Sequence, residues 1–338
     1  MHLNRYLVIP NSAMNMFYNF YRFEDLKLLD YSTCGHGITD LGEIPYLVKN
    51  AKYRDQYSLY LSELDIALGA ISKVKRAVKE IINNHGVDHI FLMKSSLTET
   101  IGIDIDGLCL DLSEEFNKDI FTIDYKLKDD FYVGESRYYS KLADYLKESS
   151  SHKRNSFNII GDSYSDWNYQ KHRAIQKLLE RQDKILNADI LSISKIADLS
   201  KLTHGELNIV TSASALPLAI TMKEKFGIDY LYFTDLFDKK IHIDKRVIAY
   251  GDVDLLNYLK AVLDFKELIL ICSHKNKCGY HYSTIDSFID EYKDNDDVKV
   301  TYCECKKFLK NVLAATSLGQ DYDSEVRDIY DEGSSTFF

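Results

Sequence analysis

The sequence is poor in residues that break regular structure. Its 338 residues include 15 glycines and three prolines. Collagen-like repeats and Pro/Gly-rich disordered segments are thereby excluded. Long apolar runs are missing too. The longest uncharged stretches, 6–21 and 207–222, are too short and too polar to span a bilayer. Pro10, Asn11, Asn15 and Asn19 interrupt the first stretch, which makes it a poor core for a secretory signal. Positive charge is scarce, with 42 Lys and Arg against 52 Asp and Glu and a net charge of −10. No basic stripe follows the chain, so neither a nucleic-acid partner nor a membrane is expected. Six cysteines without regular spacing exclude a disulfide framework and point to a reduced cytoplasm.

Several motifs are absent as well. There is no G-x-G-x-x-G fingerprint and no Walker A loop, so this chain is not expected to hydrolyse ATP itself. The nucleophile elbow G-x-S-x-G is missing, and nothing in the sequence places a histidine beside Ser212 or Ser214. A hydrolase built on these serines and Asp162 is therefore set aside.

Hydrophobic residues make up 45% and charged residues 28%, enough apolar material for two or three packed domains. Apolar residues at Ile66, Ile71, Val74, Val78, Ile81 and Ile82 recur at helical spacing, which predicts a helix over 63–84 with Gly86 as its stop. His89–Met93 reads as a buried strand. A helix near 107–116 and a strand at 120–123 follow. The alternation predicts an α/β fold of repeated Rossmann-like units with parallel sheets. The stretch 126–155, charged and rich in tyrosine, reads as the connection to a second domain. That domain takes strands at 157–160, 190–193, 207–210 and 230–233, with helices at 170–182, 196–202 and 216–226. A third unit takes strands at 246–250, 268–272 and 298–302, with helices at 253–264, 284–292 and 306–315. The expected division is 1–150, 151–240 and 241–319, followed by a mobile acidic tail at 320–338. The first fifty residues give no readable pattern.

Candidate sites fall at loops. Ser96-Leu97-Thr98-Glu99 fits a capping box with Ser96 as N-cap, and it follows a strand at the edge where open α/β sheets take ligands. Thr33-Cys34-Gly35-His36-Gly37 sets a thiol and an imidazole in a glycine-rich loop. This is either a plain turn or a place where a thiolate meets a metal. Cys303 and Cys305, and Cys272 and Cys278 beside His274 and His281, match no zinc spacing of value. Asp104, Asp106 and Asp111 read as a solvated helix face.

The segment Glu63-Leu-Asp65-Ile-Ala-Leu-Gly69, then His89-Ile-Phe-Leu-Met and Ser95-Ser96-Leu97-Thr98-Glu99-Thr100-Ile101-Gly102-Ile103-Asp104, resembles nitrogenase component 1 proteins. That family includes molybdenum-iron protein subunits, cofactor-assembly scaffolds and tetrapyrrole reductases. Asn158-Ile-Ile-Gly161, Leu207-Asn-Ile-Val210, Lys225-Phe-Gly227 and Lys245-Arg246-Val-Ile-Ala-Tyr250-Gly251-Asp252 extend the resemblance, in order, from about residue 33 to 275.

The resemblance implies an oxidoreductase subunit. Electrons would come from an ATP-dependent iron–sulfur reductase and pass through a cysteine-held iron–sulfur cluster to a tetrapyrrole, another unsaturated substrate or a metallocluster precursor. It implies a homodimer, or a heterodimer with another component 1-like subunit. Carried over, Cys34, His36, Asp40, Ser95 and Ser96 line the cluster region, with Cys34 as metal ligand. Glu99 orients the turn or relays protons. Ser96 stands where the family has a cluster cysteine and Asp40 falls near a second. Ser12 is the nearest polar residue to a third. Clusters prefer thiolates, so the alternative is a scaffold, cofactor carrier or partner subunit that has lost its cluster.

Overall fold

The structure is a computed structural model. It describes residues 12–33, 56–126, 129, 131–149, 153–162, 166–236, 241–251, 256, 260, 263–272, 281–282, 291 and 298–300. The helix predicted at 306–315, the tail at 320–338, the Cys34, His36 and Asp40 loop, and Cys303 and Cys305 lie outside the described residues.

Helix α1 (Ser12–Tyr21) leads into β1 (Leu26–Asp30), which is buried along its whole length. Then come β2 (Gln56–Ser58), α2 (Glu63–Leu68), α3 (Ile71–His85), β3 (His89–Met93), α4 (Ser96–Ile101), α5 (Ile105–Phe116) and β4 (Asp119–Phe121). The single helix expected over 63–84 is therefore two. Ser62 caps α2 in a capping box with Asp65, and Gly69 ends it at φ +83. Lys73, from α3, reaches back to Asp65 at 2.8 Å and to the Tyr60 carbonyl at 3.1 Å. The E-x-D-x-x-x-G pattern thus encodes a short capped helix and its junction. Helix α3 buries Val74, Val78 and Ile81 and closes on Gly86, as its spacing predicts.

These strands form a parallel sheet in the order β2-β1-β3-β4. Strands covered on both faces need continuous apolar runs. β1 and β3 meet that need with Leu26, Leu28, Leu29, Ile90, Phe91, Leu92 and Met93.

The stretch 126–155 is more than a connection. It contains α6 (Phe131–Leu142), whose Tyr138, Tyr139 and Leu142 are buried in the largest apolar cluster. Its tyrosines hid the helix because their polar tips suggest a surface, whereas a buried tyrosine packs its ring and satisfies its hydroxyl. Phe20 of α1 meets Tyr138 at 4.9 Å and Phe91 of β3 at 4.8 Å between ring centroids. Gly134 permits this crossing, because a Cβ there would stand 2.7 Å from Ser12 Cα.

A second parallel sheet has the order β6-β5-β7-β8, made of β5 (Ser156–Ile160), β6 (Ile185–Asp189), β7 (Leu207–Val210) and β8 (Asp229–Tyr232). Helices α7 (Asp166–Glu180) and α8 (Leu216–Phe226) belong to it. The strand expected at 190–193 ends earlier, at Asp189, and Ile190–Ser192 is a 3-10 turn capped by the Asp189 carboxylate. The stretch expected as a helix at 196–202 is a 3-10 segment, Ile196–His204.

The third sheet has the order β11-β10-β9-β12, from β9 (Ile241–Gly251), β10 (Leu263–Cys272), β11 (His281–Tyr282) and β12 (Val298–Val300), again parallel. β10 starts at Leu263, so the helix expected to reach 264 is cut short. The α/β fold with parallel sheets is as the alternating pattern predicts.

The first two sheets are joined through α1, α6 and the turn after β6. Arg22 donates from Nη1 to the carbonyls of Ile190 and Ile193, both at 2.7 Å, and from Nη2 to Tyr138 Oη at 2.7 Å. The Asp25 carboxylate accepts from the Ile196 and Ala197 N–H groups.

Candidate functional site

In the first sheet the strand order reverses between β1 and β3. Ligands of open α/β sheets sit outside the carboxyl ends of such strands. Here those ends carry Asp30, Tyr31 and Ser32 on one side and Lys94 and Ser95 on the other. Asp30, Tyr31, Ser32 and Ser95 are all buried. Ser95 Oγ donates to the Tyr31 carbonyl, and the Tyr31 N–H donates to the Met93 carbonyl at 3.1 Å. The Tyr125 hydroxyl donates to the Lys94 carbonyl at 3.0 Å, and burial pushes its proton affinity up, as it does for Tyr31.

The predicted capping box is shifted by one residue. Ser95 is the N-cap of α4, and Thr98 Oγ1 accepts from the Ser95 N–H at 3.1 Å, so the hydroxyl of Thr98 does what was expected of Glu99. Ser96 is the first residue of the helix, and Glu99 is exposed on it. Ser95 is thus brought against the segment that runs on from Tyr31. Cys34, His36 and Asp40 follow that segment but lie outside the described residues.

A second constellation lies at the corresponding end of the second sheet, where the order reverses between β5 and β7. Gly161 at φ +132 and Asp162 at φ +64 turn the chain sharply after β5. A Cβ on Gly161 would stand 2.4 Å from Thr211 Oγ1 and 2.7 Å from the Ser212 nitrogen, so only glycine fits. The turn directs Asp162 inward. Its carboxylate lies 2.6 Å from Lys171 Nζ and 3.2 Å from His172 Nε2. His172 Nδ1 is 2.6 Å from Asp189 Oδ1 at the end of β6, and Nε2 is 3.1 Å from Thr211 Oγ1 at the end of β7. Tyr139 of α6 donates to the Asp162 carbonyl at 2.5 Å. The His172 side chain has no solvent exposure.

Burial alone would lower the His172 pKa. The Asp189 charge and the hydrogen bonds to Asp162 and Asp189 outweigh it, and the imidazole titrates above its ordinary value. Burial raises Asp162 and Asp189. The charges of Lys171 and His172 on the first, and of His172 on the second, hold both below the ordinary carboxylate value. Two carboxylates thus share two cations in a closed network. Sequence reading noticed the Gly161-Asp162 turn but missed His172 and Asp189. His172 is separated from Asp189 by 17 residues, and only α7 folding back on the sheet joins them.

The profile of nitrogenase component 1 type oxidoreductases matches residues 49–240, more than half of the chain. The chain belongs to that family. It is 25% identical over 260 residues to the nitrogenase iron-molybdenum cofactor biosynthesis protein NifE of Clostridium pasteurianum, covering 72% of this chain and 50% of that protein. It is 24% identical over 200 residues to the nitrogenase molybdenum-iron protein alpha chain of Methanococcus maripaludis, covering 54% of this chain and 39% of that one. The chain therefore spans half or less of these curated relatives. A solved structure titled nitrogenase Cp1 at pH 6.5 superposes with a TM-score of 0.56 at 13% identity, covering 98% of this chain and 74% of that one. At that identity the likeness speaks for the fold alone.

Members of the nitrogenase component 1 family bind iron–sulfur clusters. The described residues do not fit one. Clusters are held by thiolates, and the turn at β3 offers Ser95, whose hydroxyl is already engaged with the Tyr31 carbonyl. Cys109 is buried in the apolar cluster between α3 and α5, where burial pushes its thiol up to about 12. Among the described residues no three His, Cys, Asp or Glu side chains are grouped to hold a metal ion. No described helix is long and apolar enough to cross a membrane.

Proposed function

We propose that this chain is an accessory component 1-like subunit: a scaffold, cofactor carrier or partner subunit that does not hold a family-type cluster with its own thiolates alone. The observation behind this reading is the turn after β3. Ser96 stands where the resemblance puts a cluster cysteine, and the hydroxyl of the preceding Ser95 is bonded to the Tyr31 carbonyl. The likeness to cofactor biosynthesis proteins is in keeping with it. Cys34, His36 and Asp40 would add what this chain contributes to a shared site, with Glu99 beside it. A heterodimer with a cysteine-complete component 1-like subunit would supply the remaining thiolates.

A second reading keeps the chain as an oxidoreductase subunit fed by an ATP-dependent iron–sulfur reductase, acting on a tetrapyrrole, another unsaturated molecule or a metallocluster precursor. In its favour, Cys34 follows Tyr31 by three positions in the sequence, and Ser95 bonds to the Tyr31 carbonyl.

One measurement separates the two. Iron and acid-labile sulfide are determined, with an electron paramagnetic resonance spectrum, on protein purified without oxygen. The accessory reading expects no cluster in the isolated chain and iron retained only after co-purification with a component 1-like partner. Several irons per isolated dimer, lost in Cys34→Ala, would overturn it in favour of the oxidoreductase.

A further inference from the structure

His172 meets a carboxylate through each of its ring nitrogens. Nδ1 lies 2.6 Å from Asp189 Oδ1 and Nε2 lies 3.2 Å from Asp162 Oδ2, and the side chain has no solvent exposure. A neutral imidazole carries one N–H and can donate to one of the two only. The other carboxylate would then face a ring lone pair. The geometry therefore calls for the imidazolium, and the ring titrates above its ordinary value despite its burial. Thr211 Oγ1 also touches the ring. It lies 3.1 Å from Nε2 and donates to the Ile160 carbonyl at 3.3 Å. A hydroxyl both donates and accepts. Beside the imidazolium it accepts, with its hydrogen on the Ile160 carbonyl. Beside a neutral ring it can turn that hydrogen to Nε2.

The two carboxylates depend on His172 unequally. Asp189 is the nearer, and it also accepts from the Leu191 N–H at 3.0 Å. A neutral ring keeps its hydrogen on Nδ1, in the shorter bond, so Asp162 is the side that loses a donor. Asp162 is also the constrained residue. Its backbone sits at φ +64, which L-residues adopt at a cost. It is held there by its N–H on Ser212 Oγ at 3.0 Å, by Tyr139 on its carbonyl, and by Lys171 and His172 on its carboxylate. The charged and titratable groups around the ring come from each element packed on it. Lys171 belongs to α7 itself, Asp162 to the end of β5 and Asp189 to the end of β6. From α6, Tyr139 bonds the Asp162 carbonyl and the Glu135 charge acts on Tyr139. From α1, the Arg22 charge acts on Asp189. β7 contributes the uncharged Thr211. Of these groups, the imidazole is the one whose ordinary titration lies near neutrality.

We propose that this group is a proton-operated switch: loss of one proton from His172 Nε2 passes that nitrogen from the Asp162 carboxylate to the Thr211 hydroxyl and releases the Gly161-Asp162 turn, while Nδ1 and Asp189 stay bonded. The proton reaches water past Asp162, whose side chain keeps 8% exposure. The turn lies at the edge where open α/β sheets take ligands, so the protonation state of His172 sets the shape of that edge. The low-pH form holds the turn and the high-pH form frees it. The switch belongs to the second sheet and does not depend on the cluster reading of the first.

The test is a titration of the full chain from about pH 5 to 10, with the His172 ring nitrogens followed by 15N nuclear magnetic resonance. We expect Nε2 to lose its proton while Nδ1 keeps its own. Amide hydrogen exchange at Asp162, corrected for the intrinsic effect of pH, should accelerate about fivefold through the same midpoint, and exchange at Leu191 should not. Thr211→Val removes the hydroxyl that serves the neutral ring, so the midpoint should rise by roughly 0.5–1 pH unit. Thr211→Ser should keep the native midpoint. A purely electrostatic role for Thr211 predicts the opposite sign, because valine takes an acceptor away from the imidazolium. A midpoint that falls or stays in Thr211→Val, exchange at Asp162 that ignores the native midpoint, or no titration of His172 in this range would overturn the proposal. The last two are read on the unchanged protein, so they decide even if Thr211→Val does not fold.

Discussion

His172 holds Asp189 through Nδ1 at 2.6 Å and faces Asp162 through Nε2 at 3.2 Å, so one fully buried imidazole ties the end of β5 to the end of β6. Removing one member of a buried charge network strands the others. His172→Ala is expected to destabilise the protein by about 3–5 kcal/mol, because both buried carboxylates lose a partner. Urea unfolding of the variant checks this. A loss under about 1 kcal/mol would mean the network is not formed in solution.

The same network sets a pH window. His172 is raised above its ordinary value of 6.5, so its contribution is complete below that value and is lost as pH rises through its folded value. Asp162 and Asp189 are lowered below 3.8, so their contribution is present above that value and lost as pH falls through their folded values. Stability is expected to form a plateau between the two and to fall on the alkaline side. In His172→Ala the alkaline fall should disappear. Melting temperature measured from pH 5 to 9 decides it.

Arg22→Met should loosen the junction of the first two sheets. It leaves the Ile190 and Ile193 carbonyls and the Tyr138 hydroxyl buried without their donor. An unsatisfied buried group costs about 1–3 kcal/mol. The expected result is a lower melting temperature, with early proteolytic cleavage between the two sheets. Cleavage elsewhere at an unchanged rate would argue against Arg22 as the clamp.

Gly161→Ala tests the turn that aims Asp162. The new methyl meets Thr211 Oγ1 and the Ser212 nitrogen, and the backbone there is one that L-residues rarely adopt. Strain of this kind costs about 1–3 kcal/mol. If the melting temperature is unchanged, the turn is not as tight as described.

Cys109 should resist alkylation in the folded protein. Its thiol is buried and pushed up to about 12, and only the thiolate reacts. Iodoacetamide labelling at pH 8, read by peptide mass spectrometry, should leave Cys109 unmodified until urea is added. Rapid native labelling would show that the α3–α5 core opens.

Much of the fold was legible because its signals are local. Val74, Val78 and Ile81 announce α3 through their spacing, Gly86 announces its end, and the apolar run His89–Met93 announces a strand covered on both faces. Helix α6 was misread because its buried face is made of tyrosines, whose hydroxyls find partners only after folding: Tyr138 with Arg22, Tyr139 with the Asp162 carbonyl. Helix α1 gave no pattern because even its asparagines, Asn15 and Asn19, are buried, and they bond to each other at 2.9 Å.

The sequence by itself determined the alternation of helix and strand, the parallel sheets that follow from it, and the family resemblance carried by residues 63 to 104 and their successors. These depend on periodicity, caps and motif order, which are properties of neighbours along the chain. Tertiary structure alone decided that Ser95 bonds to Tyr31, that His172 stands between Asp162 and Asp189, and that Thr211 reaches His172 Nε2. Each of these contacts joins residues 10 to 64 positions apart. Such pairs are set by strand order and helix packing, and no local pattern in the chain encodes them.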